Sequence, residues 1–251
     1  MDVLSALSLP EAARKGGLGV LRIAELVGRD KSQVSRSLAA LAEEGLVSRD
    51  DETLLYRPGW KLFALAAQTA ESRLVTVATP FLQHLVARVH ETAHLCVLRG
   101  GEVLTLASES PSHAFRGLGW EGVTVPAPAT SAGRVLISDW ESDVVREWFT
   151  SERLASSGAR TTKGLRTLPD ILKAVALIRL HGYAVVDEEF EIGVVGCSAP
   201  VRDHRGRICA ALNLAAPKGR LGDKLHAAGR LTAQVATNLS AELARASSTD
   251  P

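Results

Sequence analysis

The spacing of apolar positions divides the chain into two stretches of different character. Before Pro58 the apolar residues fall into short sets. Val3, Leu4 and Leu7 have helical spacing, and Leu21, Ile23, Ala24 and Val27 share one side of LRIAELV. Gly28 ends that segment as a left-handed C-terminal residue would. Asp30 then offers an N-cap, and Gln33 three residues later completes an Asp-for-Ser version of the capping box. Val34, Leu38 and Leu41 recur at i, i+4 and i+7, which predicts a second helix that Gly45 stops. LVSRD and TLLYR are β-prone runs on either side of Asp51 and Glu52, and they predict a hairpin with an acidic tip. Pro58 opens a third helix over 59–72, with Leu62, Leu65 and Ala66 as its apolar face.

Beyond residue 72 the elements lengthen. A helix is expected to His90, then strands over 93–98 and 102–109. A loop with Gly117, Gly119 and Gly122 leads to VTVPAPATSAG and a helix from Ser131. Another helix precedes Gly182. Three strands follow in YAVVD, 194–201 and ICAALNL, and a last helix from Arg220 carries Leu221, Leu225, Ala228, Leu231, Val235 and Leu239 on one face. Strands first and last with helices between predict an α+β domain around an antiparallel sheet. The division expected is a winged helix-turn-helix over 1–58, a linker helix over 59–72 and a second domain over 73–251.

Composition narrows the function without choosing it. A chain of 251 residues holds one large domain or two small ones. A formal net charge of +1 excludes a uniformly basic nucleic-acid coat and leaves room for a local basic patch. No apolar run reaches the roughly 20 residues that span a bilayer, and MDVLSALSLPEAARK lacks the basic start and apolar run of a signal peptide. Cys96, Cys197 and Cys209 are scattered, odd in number and without a CxxC pair, so neither a disulfide framework nor a cysteine zinc site is expected. Together these features predict a cytoplasmic protein with reduced thiols, no membrane partner, no metal and no cofactor.

Two short helices joined by Gly28-Arg29-Asp30-Lys31 read as a helix-turn-helix. If Val34, Leu38 and Leu41 face inward, then Ser32, Gln33, Ser35 and Arg36 face out at the end of the helix that enters a major groove. Gln33 suits adenine, and Arg36 suits guanine or a phosphate. Lys31, Arg49 and Arg57 are candidate backbone contacts. From Arg22 to Arg49 the cations Arg22, Arg29, Lys31, Arg36 and Arg49 barely outnumber Glu25, Asp30, Glu43 and Glu44. One copy should therefore hold DNA weakly, and a dimer or tetramer reading repeated half-sites is expected.

Enzyme readings are weaker. His94 and Cys96 point the same way in a strand, but no third orienting group is identifiable. Asp187, Glu188, Glu189 and Glu191 lie in a turn between strands, where charged residues are usually solvated. No P-loop, dinucleotide fingerprint or HExxH is present, and no catalytic residue is assigned.

A ligand site has better support. Thr130-Ser131-Ala132-Gly133 starts a helix with small residues, which either exposes N–H groups to a carboxylate or packs tightly through Gly133. Alternation puts Cys209, Ala211, Asn213 and Ala215 on one strand face, with Asn213 the odd polar residue, and puts Val194, Gly196 and Ser198 together on another strand.

RIAELVGRDKSQVSRSLAALAEEGLVSRD with YRPGWKLFALA resembles the N-terminal domain of IclR-type transcription regulators. PATSAGRVLIS and GYAVVDEEFEIGVVGCSAPVRDHRGRICAALNLAAP resemble that family's effector domain. The resemblance covers nearly the whole chain. It implies a winged helix-turn-helix, a linker helix and a GAF-like effector domain, with a double-stranded DNA operator and a small-molecule effector as partners. It also implies homodimers or tetramers and repression or activation of catabolic operons. Carried over residue by residue, the effector site comprises Gly117, Val125, Ser131, Ala132, Val186, Val194, Gly196, Ser198, Asn213 and Ala215. The family pattern commonly has an acidic residue where Val186 stands and a cysteine where Gly196 stands. Both departures make the pocket less polar, which favours a bulkier aromatic or branched organic acid.

Overall fold

A computed structural model of the chain describes residues 2–112, 120–150, 152, 154 and 161–248. It separates into two compact units, 1–73 and 74–251. In the first, α1 (Val3–Leu7), α2 (Pro10–Lys15), α3 (Val20–Val27) and α4 (Lys31–Glu43) precede a two-stranded antiparallel sheet, β1 (Val47–Arg49) and β2 (Tyr56–Pro58). The core gathers Leu7, Leu18, Ile23, Val34, Leu38 and Val47. Gly28 caps α3 at φ +65°, and Asp30 caps α4 by accepting from the Ser32 N–H. Leu21 stands outward and Val20 takes its place against the core, so α3 is turned from the face expected.

The hairpin also starts later than its apolar run suggests. Asp50 accepts from the N–H groups of Glu52 and Thr53 and so winds 50–55 into the tip. The second strand begins only at Tyr56, with Pro58 paired opposite Val47. The two helices expected over 59–72 and onward to His90 form as α5 (Trp60–Ala67) and α6 (Ala70–Val89), with the break at 68–69 and not after 72. The apolar pattern runs on through the break, but the Thr69 hydroxyl accepts from the Ser72 N–H and starts a new helix there. No α5 residue is buried, and Trp60 and Phe63 are 75% and 80% exposed.

The second unit is built on six antiparallel strands in the order β5-β4-β3-β8-β7-β6. These are β3 (Thr92–Arg99), β4 (Glu102–Glu109), β5 (Thr124–Pro126), β6 (Ala184–Asp187), β7 (Val194–Arg202) and β8 (Ile208–Pro217). Inward residues alternate along each strand. Leu95, Val97, Val195, Cys197, Leu212 and Leu214 meet α6 and α11 (Leu225–Ser248) on one face. Cys96, Ala184 and Ala211 meet α7 (Ser131–Leu136), α8 (Ser142–Trp148) and α9 (Leu168–His181) on the other. The last helix starts at Leu225, not at Arg220, because α10 (Lys218–Leu221) and a 3-10 turn over Gly222–Lys224 intervene.

One strand departs from simple alternation. Val201 pairs with Ala210 and Arg202 with Ile208, so Cys209 is the extra residue of a bulge. Cys209 therefore packs with the α6/α11 layer and Ile208 with the α7 layer, the reverse of the expected faces. Ala211, Asn213 and Ala215 lie beyond the bulge and keep the expected side.

Candidate functional site

The outward face of α4 follows from its buried stripe. Val34 and Leu38 are buried and Leu41 is partly so, which leaves Lys31, Ser32, Gln33, Ser35 and Arg36 exposed. The Ser32 hydroxyl is engaged: it donates to Asp30 Oδ1 at 2.6 Å, and this contact holds the Asp30 carboxyl below its usual range. On the hairpin, the Arg49 guanidinium lies 5.5 Å from the Tyr56 ring centroid, and Arg57 Nε donates to Ser48 Oγ at 3.3 Å. Glu11, Glu25 and Glu44 are paired within the unit. Arg22 binds Glu11 and Glu25, each at 3.0 Å, and Lys61 binds Glu44 at 2.8 Å. Among the described residues, Arg29, Lys31, Arg36, Arg49 and Arg57 enter no such pair. The usable field of this face is thus more positive than a count along the sequence suggests.

The second unit holds a cavity of about 130 Å³ between the sheet and α7. Val125, Ser131, Ala132, Val186, Val194, Gly196, Asn213 and Ala215 all line it. Ser198 lies behind the wall, with its hydroxyl 2.8 Å from Ser131 Oγ. Gly117 lies outside the described residues. Val186 and Gly196 are paired across β6 and β7, so the two departures from the family pattern form a single local change.

The start of α7 differs from an open anion cradle. Thr130 Oγ1 accepts from the Gly133 N–H at 3.0 Å, and a Cβ at Gly133 would collide with the Ala127 carbonyl. Gly133 therefore serves close packing, the second of its two sequence readings. Polar chemistry reaches the cavity from side chains instead. Asn213 Nδ2 donates to Ser198 Oγ at 2.9 Å and Ser131 Oγ at 3.2 Å.

His94, Cys96, Thr105, Trp120, Phe190 and Glu191 also line the cavity, and the sequence-derived site lacks all six. Alternation along β3 already turns His94 and Cys96 to the face of Asn213, whereas Trp120 and Phe190 come from connections without periodicity. The rings of His94 and Trp120, and of Trp120 and Phe190, meet edge to face at 6.4 Å between centroids. His94 Nδ1 lies 2.9 Å from Ser108 Oγ, and burial lowers the histidine's pKa to about 4. Burial pushes the Cys96 thiol up to about 12, the wrong direction for a nucleophile.

The acidic turn after β6 is not simply solvated. Lys218 binds Asp187 at 2.8 Å and Glu188 at 2.9 Å, and Lys163 binds Glu188 at 2.6 Å. Glu189 reaches Arg134 of α7 at 2.7 Å. Hydrogen bonds from Lys163, then Lys218, hold the Glu188 carboxyl at about 2. Among the described residues, no cluster of His, Cys, Asp and Glu could hold a metal ion, and no helix is long and apolar enough to cross a membrane.

Comparison with known proteins agrees with both halves. Residues 1–51 match the IclR helix-turn-helix domain, and residues 66–241 match the family described as bacterial transcriptional regulator IclR C-terminal. The Pca regulon regulatory protein of Pseudomonas putida is 28% identical over 210 residues, 83% of this chain and 70% of that protein. The HTH-type transcriptional regulator XynR of Escherichia coli is 30% identical over 215 residues, 82% and 81% of the two chains. A crystal structure of an IclR homolog from Microbacterium hydrocarbonoxydans, complexed with 4-hydroxybenzoate, superposes with a TM-score of 0.80 at 23% identity, covering 91% of this chain and 92% of that one. The helix-turn-helix implies a DNA partner and the effector domain a small-molecule ligand, and the chain belongs to the IclR family of transcriptional regulators.

Proposed function

We propose that the chain binds a DNA operator under the control of an organic acid with an apolar, ring-sized body. The observation that carries this reading is the wall of the effector cavity. Val125, Ala132, Val186, Val194 and Ala215 make it apolar, Trp120 and Phe190 add aromatic edges, and polar groups gather around Ser131 and Asn213. Its volume of about 130 Å³ is close to the roughly 150 Å³ of an apolar cavity that takes up benzene in another protein. That the Microbacterium hydrocarbonoxydans homolog was crystallised with 4-hydroxybenzoate supports the same class of ligand.

Lys31, Gln33, Ser35 and Arg36 on α4 are the proposed groove contacts, with Arg49 and Arg57 on the flanking hairpin touching phosphates. Ser32 gives both its hydroxyl and its backbone N–H to Asp30, so its part is to hold the start of α4 in place. The exposed apolar face of α5, with Trp60 and Phe63, supports self-association of the first unit. A dimer doubles a cationic surface that is modest in one copy.

The test is a thermal-shift and gel-shift series with 4-hydroxybenzoate, branched acids and small polar acids. An effector at 100 times its dissociation constant adds roughly 2.7 kcal/mol to the unit that binds it. The reading fails if only small polar acids stabilise the protein or release it from DNA. Light scattering that finds a 26.7 kDa monomer holding its operator tightly would remove the self-association argument.

A further inference from the structure

The polar groups of the cavity form an ordered row. Antiparallel pairing sets Ser108 opposite His94, His94 opposite Asn213, and Asn213 opposite Ser198, so the four lie side by side across β4, β3, β8 and β7. His94 is the one member of this row able to take a positive charge. Among the described residues, no Lys or Arg lines the cavity, and Glu191 at its rim is acidic. Arg134 of α7 is directed elsewhere, to Glu189 and the Pro128 carbonyl. Among these described lining residues, an acid entering as an anion would find only neutral groups to replace its lost water.

We propose that His94 is the acid-recognition residue of this cavity, and that an organic acid binds together with one proton, which His94 takes from the buffer. The proposal rests on the reading of the cavity as an acid site. As a cation the ring donates from both nitrogens, Nδ1 to Ser108 Oγ and Nε2 to the ligand carboxylate. The proton leaves a buffer acid and ends on the imidazole, and no other bond changes.

Burial holds His94 neutral, and the charge of Glu121 opposes that effect and favours the protonated ring. Glu191 on the β6–β7 connection also lines the cavity and has a contact of its own. Cys96 on β3 stays protonated. β4 contributes Ser108 and Thr105, β8 contributes Asn213, and α7 contributes Ser131, none of them charged. A carboxylate beside the ring opposes the effect of burial and raises its proton affinity. Effector response is thereby linked to pH, with tighter binding as pH falls.

Calorimetry of 4-hydroxybenzoate binding at about pH 6, in phosphate, MES and Bis-Tris, counts the protons through the dependence of the heat on buffer ionisation. The expected result is uptake of about one proton, with affinity rising up to about tenfold for each unit of falling pH above the range of the free histidine. The uncharged analogue 4-hydroxybenzamide should bind with no uptake. In His94→Gln the uptake should vanish and the pH dependence flatten, while the amide still binds. The count on the parent protein needs no variant. Acid binding without proton uptake overturns the proposal and leaves the acid site standing. Uptake that persists in His94→Gln overturns the role of His94. Failure of every acid to bind overturns both.

Discussion

Removing the Glu189 carboxylate should destabilise the second unit more than any surface charge change, because its partner cannot turn to water. The Arg134 side chain is 4% exposed on α7, and Glu189 is 18% exposed on the β6–β7 connection. Arg134 also donates from Nε to the Pro128 carbonyl at 3.0 Å, so it is held from two sides. Breaking a buried pair costs about 3–5 kcal/mol, because the remaining charge stays desolvated. The partial exposure of Glu189 lets water replace some of what is lost, which puts Glu189→Ala near the lower end, about 3 kcal/mol. For a unit of this size, that corresponds to roughly 6–12 °C in melting temperature. Glu189→Gln keeps a hydrogen bond without the charge and should cost about half as much. Three of the four tryptophans, Trp120, Trp140 and Trp148, belong to this unit, so fluorescence melting reports on it. The double variant Arg134→Met with Glu189→Leu removes both charges and should recover most of the loss. A loss below about 1 kcal/mol in Glu189→Ala, or equal costs of Arg134→Met in the parent and in Glu189→Ala, would refute the reasoning.

Three further outcomes are expected. Arg36→Ala should weaken operator binding about tenfold without moving the melting temperature, and Gln33→Ala should relax preference at one base pair at a cost of roughly 1–3 kcal/mol, both read by gel shift at fixed salt. Gly196→Leu should abolish effector binding in calorimetry while leaving DNA binding intact. Its side chain fills the cavity, and its Cβ would lie 3.0 Å from the Leu214 carbonyl, so a modest loss of stability accompanies the effect. Glu188 is held at about 2 against an ordinary value of 4.5, so its contribution is complete above about pH 5 and is lost as pH falls toward 2. Acid-unfolding curves of the parent and Glu188→Gln should therefore converge as pH drops across that window.

The parts of this protein that the sequence makes legible are those set by periodicity or by one local hydrogen bond. Val34 and Leu38 fix which face of α4 is free, and Asp30 fixes where it starts. The place of the break at Gln68–Thr69, ahead of the boundary expected after 72, was not legible, because the apolar pattern runs straight through it and a single hydroxyl decides the matter. Leu21 failed for a related reason. In a helix of eight residues, a small rotation exchanges Val20 for Leu21 at the core with almost no change in pattern.

The cavity divides along the same line. Alternation locates Asn213, Gly196 and Val194, since a strand residue has only two faces to choose from. The step the sequence withholds is register. His94 becomes a neighbour of Asn213 only once β3 is laid antiparallel to β8, and Ser198 joins the row only through the pairing of β7 with β8. The Cys209 bulge shows how much hangs on that step. One extra residue reverses the faces of Ile208 and Cys209, yet it lies on the Ile208 side of the cavity residues and leaves Asn213 in place. Trp120, Phe190 and the ion pairs of Glu188 and Glu189 come from connections, where no period constrains direction. The apolar and polar character of the cavity could thus be read in one dimension, whereas the polar row through His94, Asn213 and Ser198 appears only once the strands are aligned.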